Sequence, residues 1–450
     1  MGGLGMNEIA VLSKESTLKE AELKYKNKDY PNAYPLYQKI WDEFKINDPY
    51  TMFKYGNILR NIKKSKEFIE LYVKYDFSNI TDKQKNFIDR IFSWCLYDIY
   101  IKPYDKNNRD QGKYENFISN AHRILEIQNS NNHKYYESAF VKTCVKVANV
   151  IVHKTAIPNY KEIIWWMEQL NVSELSNNPY SFVDKENKKR EIASDREIYY
   201  QYLSKCYEKM NDYDKCLEIC EQALKDVGRF HYRNHIWIKE RKLYCSCFIE
   251  ENYDQAIENY KLFAEKQQKC YMFCKLSNLY YSRTKIKESL VYGCKALLLE
   301  YDIPKIINLL EDLAYYWREY GKSENAHKFF YACFYYRMKR RWKISQELCY
   351  EIKQYNFSLT TEIDFKELIK IAEDFVNANS LTKIRHGIIT MIDKSKQFGF
   401  IKINDKTKDK IYFNFKNVLD KNVLYKNSNV VFEIITNNRK LNEAINLRGE

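Results

Sequence analysis

Apolar residues recur at intervals of three and four across residues 15–378, whereas from Arg385 onward they alternate with polar ones in short runs. The first period lays an apolar stripe along one side of an α-helix; the second is that of a strand with one face buried. In the helical part the stripes come in pairs separated by short polar turns. The clearest unit covers residues 197–226, where Tyr200, Leu203, Ser204 and Tyr207 precede a turn at Asp212-Tyr213, and Cys216, Cys220 and Ala223 follow it. The register returns with Asn252-Tyr253, Ala256 and Tyr260, then with Leu276-Ser277, Tyr280, Ser289 and Ala296, and again with Leu313-Ala314, Trp317, Gly321, Ala326 and Phe330. Nearer the start, Asp29-Tyr30, Ala33 and Tyr37 make a further unit, and Gly56, Leu59, Phe68 and Tyr72 a degraded one.

Self-similarity at this spacing predicts stacked helix pairs, each burying its apolar side against the next. The units resemble tetratricopeptide repeats, with Cys216 where that family usually places Ala. The resemblance implies an α-solenoid whose groove holds a peptide, a partner protein or the chain's own C-terminal domain; the pattern assigns no individual residue to that groove. Residues 1–14 are expected to form a flexible N-terminus, residues 15–170 helical repeats that become irregular between about 81 and 166, and residues 171–194 a long loop or break. That last stretch is polar and holds Pro179 and a charged run from Asp184 to Glu191. Residues 195–378 continue the repeats and end in an amphipathic capping helix from Ile363 to Ala378.

The alternating runs beyond it are His386 to Ile392, Phe398 to Ile403, Lys410 to Phe415, Val430 to Ile435 and Glu443 to Asn446. Five short strands within residues 385–450 suit a small closed barrel. The fold class expected is therefore mainly α, a tetratricopeptide-like solenoid followed by a five-stranded β-barrel.

Composition adds bounds to this picture. The 450 residues include 11 Gly and 7 Pro, too few for a loop-rich all-β chain, and 45% hydrophobic residues, enough to exclude general disorder. No run of 18 apolar residues and no charged start followed by an apolar segment occurs, so neither a membrane span nor a signal peptide is expected. The 12 Cys lie in helical patterns, which suits buried thiols in a reducing cytoplasm. Abundant Lys, Asn, Ile and Tyr suit an AT-rich bacterial genome. The net charge of +14 is compatible with a polyanionic partner, and the end of the chain has a large share of it: residues 385–450 hold 13 Lys or Arg against 7 Asp or Glu.

The candidate chemistry lies in that segment. In Lys396-Gln397-Phe398-Gly399-Phe400-Ile401, alternation puts Phe398 and Phe400 on one face, and in Lys410-Ile411-Tyr412-Phe413-Asn414-Phe415 one alternate set joins them. Exposed aromatics on adjacent strands offer faces on which unpaired bases stack, while Lys394, Lys396 and Lys410 can meet phosphates. The other alternate set, Phe413 foremost, is expected to fill the core. Lys402, Lys406 and Lys408 read as solvated surface. From His386 to Leu447 the segment resembles a cold-shock domain, with Gly387-Ile388-Ile389 at the opening strand, Lys396 to Ile401 and Ile411 to Phe415 at the two nucleic-acid-binding motifs, Val430 to Glu433 at the fourth strand and Ala444-Ile445-Asn446 at the closing strand. The resemblance implies binding of single-stranded RNA or DNA, with Phe398, Phe400, Tyr412 and Phe415 stacking on bases and Lys396 near the backbone. The sequence departs from the family at Met391, where it usually has Trp, at Asn414, where it usually has His, and at Gln397, where Gly is common.

Other features have bland readings. The run Arg337 to Lys343 falls on an expected helix, where Arg340 and Arg341 could extend a nucleic-acid path or form a solvated face. Cys216 and Cys220, Cys245 and Cys247, and Cys270 and Cys274 lack paired zinc-ligand spacing and read as packing residues. His231 and His235 lack the intervening Glu of a metalloprotease helix. No phosphate-binding glycine loop, nucleophile elbow, kinase or nuclease signature occurs. No catalytic residue, metal or cofactor is assigned. The expectation is a non-enzymatic cytoplasmic adaptor that binds single-stranded RNA through the barrel and an unidentified protein or peptide through the repeats. The alternative is a protein receptor or complex subunit whose barrel makes only protein contacts.

Overall fold

The structure, a computed structural model, describes residues 6–130, 138–155, 157–184, 186–231, 233–354, 364–380, 383–404, 410–436 and 442–450. The chain divides into two compact units, residues 1–245 and 246–450. The first contains α1 (Met6–Lys26), α2 (Tyr30–Asp42), α3 (Pro49–Asn61), α4 (Ser65–Lys74), α5 (Asp82–Leu96), a π-helical turn at Tyr97–Ile101, α6 (Gln111–Ser130), α7 (Ala139–Lys154) and α8 (Tyr160–Glu168). A short hairpin of β1 (Tyr180–Val183) and β2 (Lys189–Ile192) precedes α9 (Asp195–Lys209) and α10 (Tyr213–Asp226), and the boundary falls within α11 (Asn234–Ile249). The second unit continues with α12 (Tyr253–Gln267), α13 (Cys270–Tyr281), α14 (Ile286–Leu297), α15 (Ile303–Glu319), α16 (Ser323–Lys339), α17 (Gln346–Gln354) and α18 (Phe365–Asn379). It ends in β3 (Lys383–Asp393), β4 (Phe398–Ile403), β5 (Lys410–Asn414), β6 (Asn429–Thr436) and β7 (Asn442–Gly449).

The helix pairs share one turn. A residue in the left-handed region follows the first helix of a pair at Lys28, Lys63, Asn211, Thr284 and Gly321, with φ between 57° and 78° in this set. Its own N–H and that of the next residue return to carbonyls of the last helical turn. Asn211 N–H meets the Glu208 oxygen at 3.1 Å and Asp212 N–H that of Tyr207 at 3.0 Å, and the same two bonds recur at Thr284-Lys285 and Gly321-Lys322. This Schellman closure satisfies orphaned carbonyls and reverses the chain within three residues. The next helix starts two residues after the left-handed one in all five cases.

Small side chains then let the paired helices approach. Ser204, Cys216, Cys220 and Ala223 are fully buried between α9 and α10, and the Cys216 thiol reaches the Ser204 carbonyl at 3.2 Å. In the next unit the Ser277 hydroxyl donates to the Ser289 carbonyl at 2.7 Å, joining α13 to α14. The arrangement is a mainly helical, tetratricopeptide-like solenoid followed by a closed barrel. At its end α18 buries Leu368, Ala372 and Val376, and Phe375 packs edge-on against Trp317 of α15 with centroids 4.7 Å apart.

Four expectations change. Helix α1 starts at Met6, inside the expected flexible tail, because residues 6–14 contain neither Gly nor Pro to interrupt a helix; residues 1–5 lie outside the described residues. The expected loop at 171–194 contains the β1–β2 hairpin, and the capping helix begins at Phe365, Ile363 lying outside the described residues. The run Arg337 to Lys343 is not one helix face, since α16 ends at Lys339 and Arg341 takes a left-handed turn with φ 54°.

The barrel closes in the order β3-β4-β5-β7-β6 and back to β3, all pairs antiparallel except β5 with β7. Alternation supplies its core: Ile389, Ile401, Phe413, Val430, Phe432, Ala444 and Leu447 point inward and are buried. The barrel packs on α18 through the start of β3, where the Ile384 N–H donates to Asn377 Oδ1 at 2.6 Å and His386 Nε2 lies 2.8 Å from Glu373 Oε1.

Candidate nucleic-acid interface

β4 and β5 pair antiparallel with Phe398 opposite Asn414 and Phe400 opposite Tyr412. Residues directly opposite share a face, so the outer side of this pair carries Phe398, Phe400, Tyr412 and Asn414, with Lys402 opposite Lys410 at its end. The three rings form one group. Phe398 stacks on Tyr412 at 5.8 Å and 28°, Phe400 meets Phe398 edge-on at 5.9 Å, and Phe400 meets Tyr412 edge-on at 6.0 Å. Each is half-buried, held by its neighbours with part of its π-face open.

Gly399 makes room beneath them. A Cβ there would lie 2.5 Å from the Phe413 ring and 2.6 Å from the Met391 carbonyl oxygen, so Gly alone lets the core ring pass under the strand. On β3 the register slips between Ile389 and Met391, which places Met391 opposite Phe400 and turns it outward, 41% exposed. Met391 thus joins the aromatic face. Beside it a shallow recess of about 510 Å³ is lined by Met391, Lys394, Tyr425 and Lys426, with Tyr425 62% exposed.

The charges around the face are mostly positive. Lys394, Lys396 and Lys410 are exposed, and none forms an ion pair within 4 Å among the described residues, although the Lys396 charge acts on the Asp393 carboxylate. Asp393 precedes Lys394 at the end of β3, and its Oδ1 accepts from the Ser395 hydroxyl at 2.6 Å and from the Ser395 and Lys396 N–H groups at 3.0 and 2.9 Å. Those bonds, the hydroxyl's first, hold its carboxyl below the usual range and bind it into the β3–β4 turn. Gln397 completes the turn with φ 54°, a left-handed conformation that favours glycine.

Two expected site residues are placed differently. Phe415 is not on the aromatic face: β5 ends at Asn414, and the following 3₁₀ turn lays Phe415 on Phe413 with centroids 6.2 Å apart, packed on the barrel core. Alternation already puts positions 413 and 415 on the side opposite 412. Asn414 faces outward, yet its Oδ1 accepts from Lys416 N–H at 3.0 Å to cap that turn, and its Nδ2 lies 3.5 Å from the Tyr412 hydroxyl, to which it donates. Arg340 and Arg341 touch nothing on the barrel among the described residues; Arg340 covers the Trp342 ring at 5.2 Å. Lys406 and Lys408 lie outside the described residues. Sequence reasoning missed Tyr425 and Lys426, whose adjacency in a polar connection was the available signal.

The remaining candidates are structural. His231 is buried, its N–H donating to Glu197 Oε2 at 2.8 Å. The twelve cysteines form no disulfide, and no cluster of three or more metal-ligating side chains occurs among the described residues. No described helix is long and apolar enough to cross a membrane.

No family model matches this chain, and no curated protein does. Among solved structures it is similar to a tetratricopeptide repeat protein from Parabacteroides merdae, at 12% identity and a TM-score of 0.29, with 67% of this chain and 98% of that one covered. It is also similar to the C-terminal part of a TPR repeat-containing protein from Cytophaga hutchinsonii, at 13% identity and a TM-score of 0.29, covering 74% and 98%. The TPR domain of P58(IPK) matches at 13% identity and a TM-score of 0.26, covering 80% and 99%. The tetratricopeptide-like character of the solenoid rests on the recurring turns and small-residue contacts described above.

Proposed function

We propose that this chain is a non-catalytic adaptor that holds single-stranded RNA on the outer face of β4 and β5 and a partner protein on its helical repeats. The observation that carries the reading is the group of Phe398, Phe400 and Tyr412, half-buried on the outside of a five-stranded barrel and bordered by exposed lysines. The strand order is that of oligonucleotide-binding barrels, whose second and third strands carry the ligand face. Stacking supplies affinity with little sequence preference, and the lysines add a salt-sensitive term. Met391 in place of Trp gives a softer, less extensive platform on β3.

The competing reading, a barrel that only contacts protein, draws on its docking to α18. That contact uses the start of β3, which pairs with β6, whereas β4 pairs with the later part of β3. Docking therefore leaves the aromatic face open.

The test is fluorescence anisotropy with labelled single-stranded RNA and DNA at two salt concentrations. A Phe398→Ala/Phe400→Ala variant is expected to bind at least about 30-fold more weakly, from about 1 kcal/mol or more per lost ring. The wild type should weaken as salt rises. Both rings lie outside the core, so the variant should keep its thermal transition. Equal binding by a folded variant would remove the barrel from the reading.

A further inference from the structure

Within the first unit three helices turn matching stripes toward one groove of about 670 Å³. α7 contributes residues from Lys142 to His153, α9 from Asp195 to Lys205 and α11 from Asn234 to Arg241, each stripe built on steps of three and four residues. α9 is the first helix of its pair, and α7 and α11 likewise precede α8 and α12. The floor is apolar and aromatic, including Val145, Ile198, Tyr202 and Trp237, the last 46% exposed.

Four cations and one carboxylate line the groove. Lys142 is paired with that carboxylate, Asp195, at 3.0 Å, and Arg241 is paired with Glu208 at 3.0 Å. Lys146 and Lys205 have no ion-pair partner among the described residues. Lys146 is also half-buried, and burial lowers its pKa, so an anion placed beside it would restore what desolvation removes. The apolar surface continues out of the groove: Ile192 of β2 lines it at 45% exposure, and Tyr180, 57% exposed, lies directly across the hairpin, stacked with Phe182.

We propose that this groove binds an extended acidic segment of a partner protein, in which Asp or Glu residues flank an aliphatic or aromatic anchor. The proposal rests on the reading of the repeats as a protein-binding scaffold and names the site and the partner's chemistry. The anchor sits on the Tyr202 and Trp237 floor and the carboxylates meet Lys146 and Lys205. The α7 stripe covers about 16 Å, the reach of about five extended residues. Charge complementarity selects an acidic occupant. A nucleic acid fits less well, because a phosphate chain needs a ladder of free cations and gains nothing from aliphatic floor.

The test pans a phage-displayed library of random 12-residue peptides against the full chain, then measures the recovered peptides by anisotropy. Recovered sequences are expected to be acidic around an apolar residue, to lose at least tenfold in affinity with Lys146→Glu/Lys205→Glu, to be retained by Lys146→Arg/Lys205→Arg, and to ignore Phe398→Ala/Phe400→Ala. Both lysines project from helix surfaces, and an unchanged melting transition checks that the variants fold. Peptides that bind the charge-reversed variant equally well overturn the groove assignment while leaving a protein-binding solenoid in place. Neutral or basic recovered peptides overturn the acidic partner. Failure to recover any peptide overturns the proposal, and absence of any copurifying protein would then remove the scaffold reading too. RNA binding abolished by Lys146→Glu/Lys205→Glu but kept by the barrel variant would reassign the groove to nucleic acid.

Discussion

Gly399 shows how closely the aromatic face depends on what lies beneath it. Phe398 and Phe400 project outward on either side of it, and the Phe413 ring fills the space where its side chain would be. In Gly399→Ala the new methyl meets a buried ring on one side and the Met391 backbone on the other, so neither neighbour can give way cheaply. The substitution is expected to destabilise the barrel by about 1–3 kcal/mol, read as a lower urea midpoint for the transition of the second unit. RNA affinity should fall with it, since the rings are positioned by the strand that moves. An unchanged midpoint would mean that the barrel core has slack at Phe413. Gln397, two residues earlier, carries the opposite burden: it holds a left-handed backbone without being Gly.

At the scale of elements, the left-handed turn closing five helix pairs is occupied by Lys, Lys, Asn, Thr and Gly. Thr is the costliest of these, because its branched Cβ crowds the backbone at positive φ, whereas Gly321 at φ 78° is unstrained. Thr284→Gly should therefore stabilise the second unit by about 0.5–1 kcal/mol, and Gly321→Ala should destabilise it by about 1 kcal/mol, both read from urea midpoints at constant slope. Two shifts of the same sign would show that these turns are not held in the left-handed form. The turns also explain which elements were legible in the sequence. Helix pairs and barrel strands announce themselves because each buries one face, and the period of that face fixes the element. The β1–β2 hairpin leaves both faces exposed, so no period marks it. The end of α16 was equally hidden, because a left-handed Arg341 stops the helix where no Gly or Asn signals it. The aromatic face was legible as alternation within two adjacent strands. The groove of the first unit was not, because its stripes come from helices some fifty residues apart and meet only through packing.

At the scale of the whole molecule, one imidazole contributes a titratable link to the barrel's attachment to its capping helix, beside the Ile384–Asn377 bond. His386 Nε2 lies 2.8 Å from Glu373 Oε1 of α18, and its Nδ1 lies 3.1 Å from Glu450 Oε1 at the end of the chain. A neutral imidazole has one N–H and can donate to only one of these oxygens; the imidazolium donates to both. The bond to Glu373, and then the charges of Glu373 and Glu450, raise the His386 pKa against the opposing effect of burial. A group whose folded pKa is raised contributes stability that is fully present below its unfolded value of about 6.5 and is lost as pH rises through the higher folded value. Docking should thus be firmer at pH 6 than at pH 8. The side chain is 33% exposed and Glu373 20%, so screening limits the effect to on the order of 0.5–1 kcal/mol. Hydrogen exchange of the α18 and early β3 amides, corrected for intrinsic rate, is expected to show protection that declines between these pH values in the wild type and not in His386→Gln. Because docking uses the start of β3 whereas the proposed RNA face lies on β4 and β5, single-stranded RNA affinity should change little when His386→Gln loosens the barrel. A large loss of RNA binding in that variant would instead mean that α18 orients the aromatic face, making the helix part of the nucleic-acid interface.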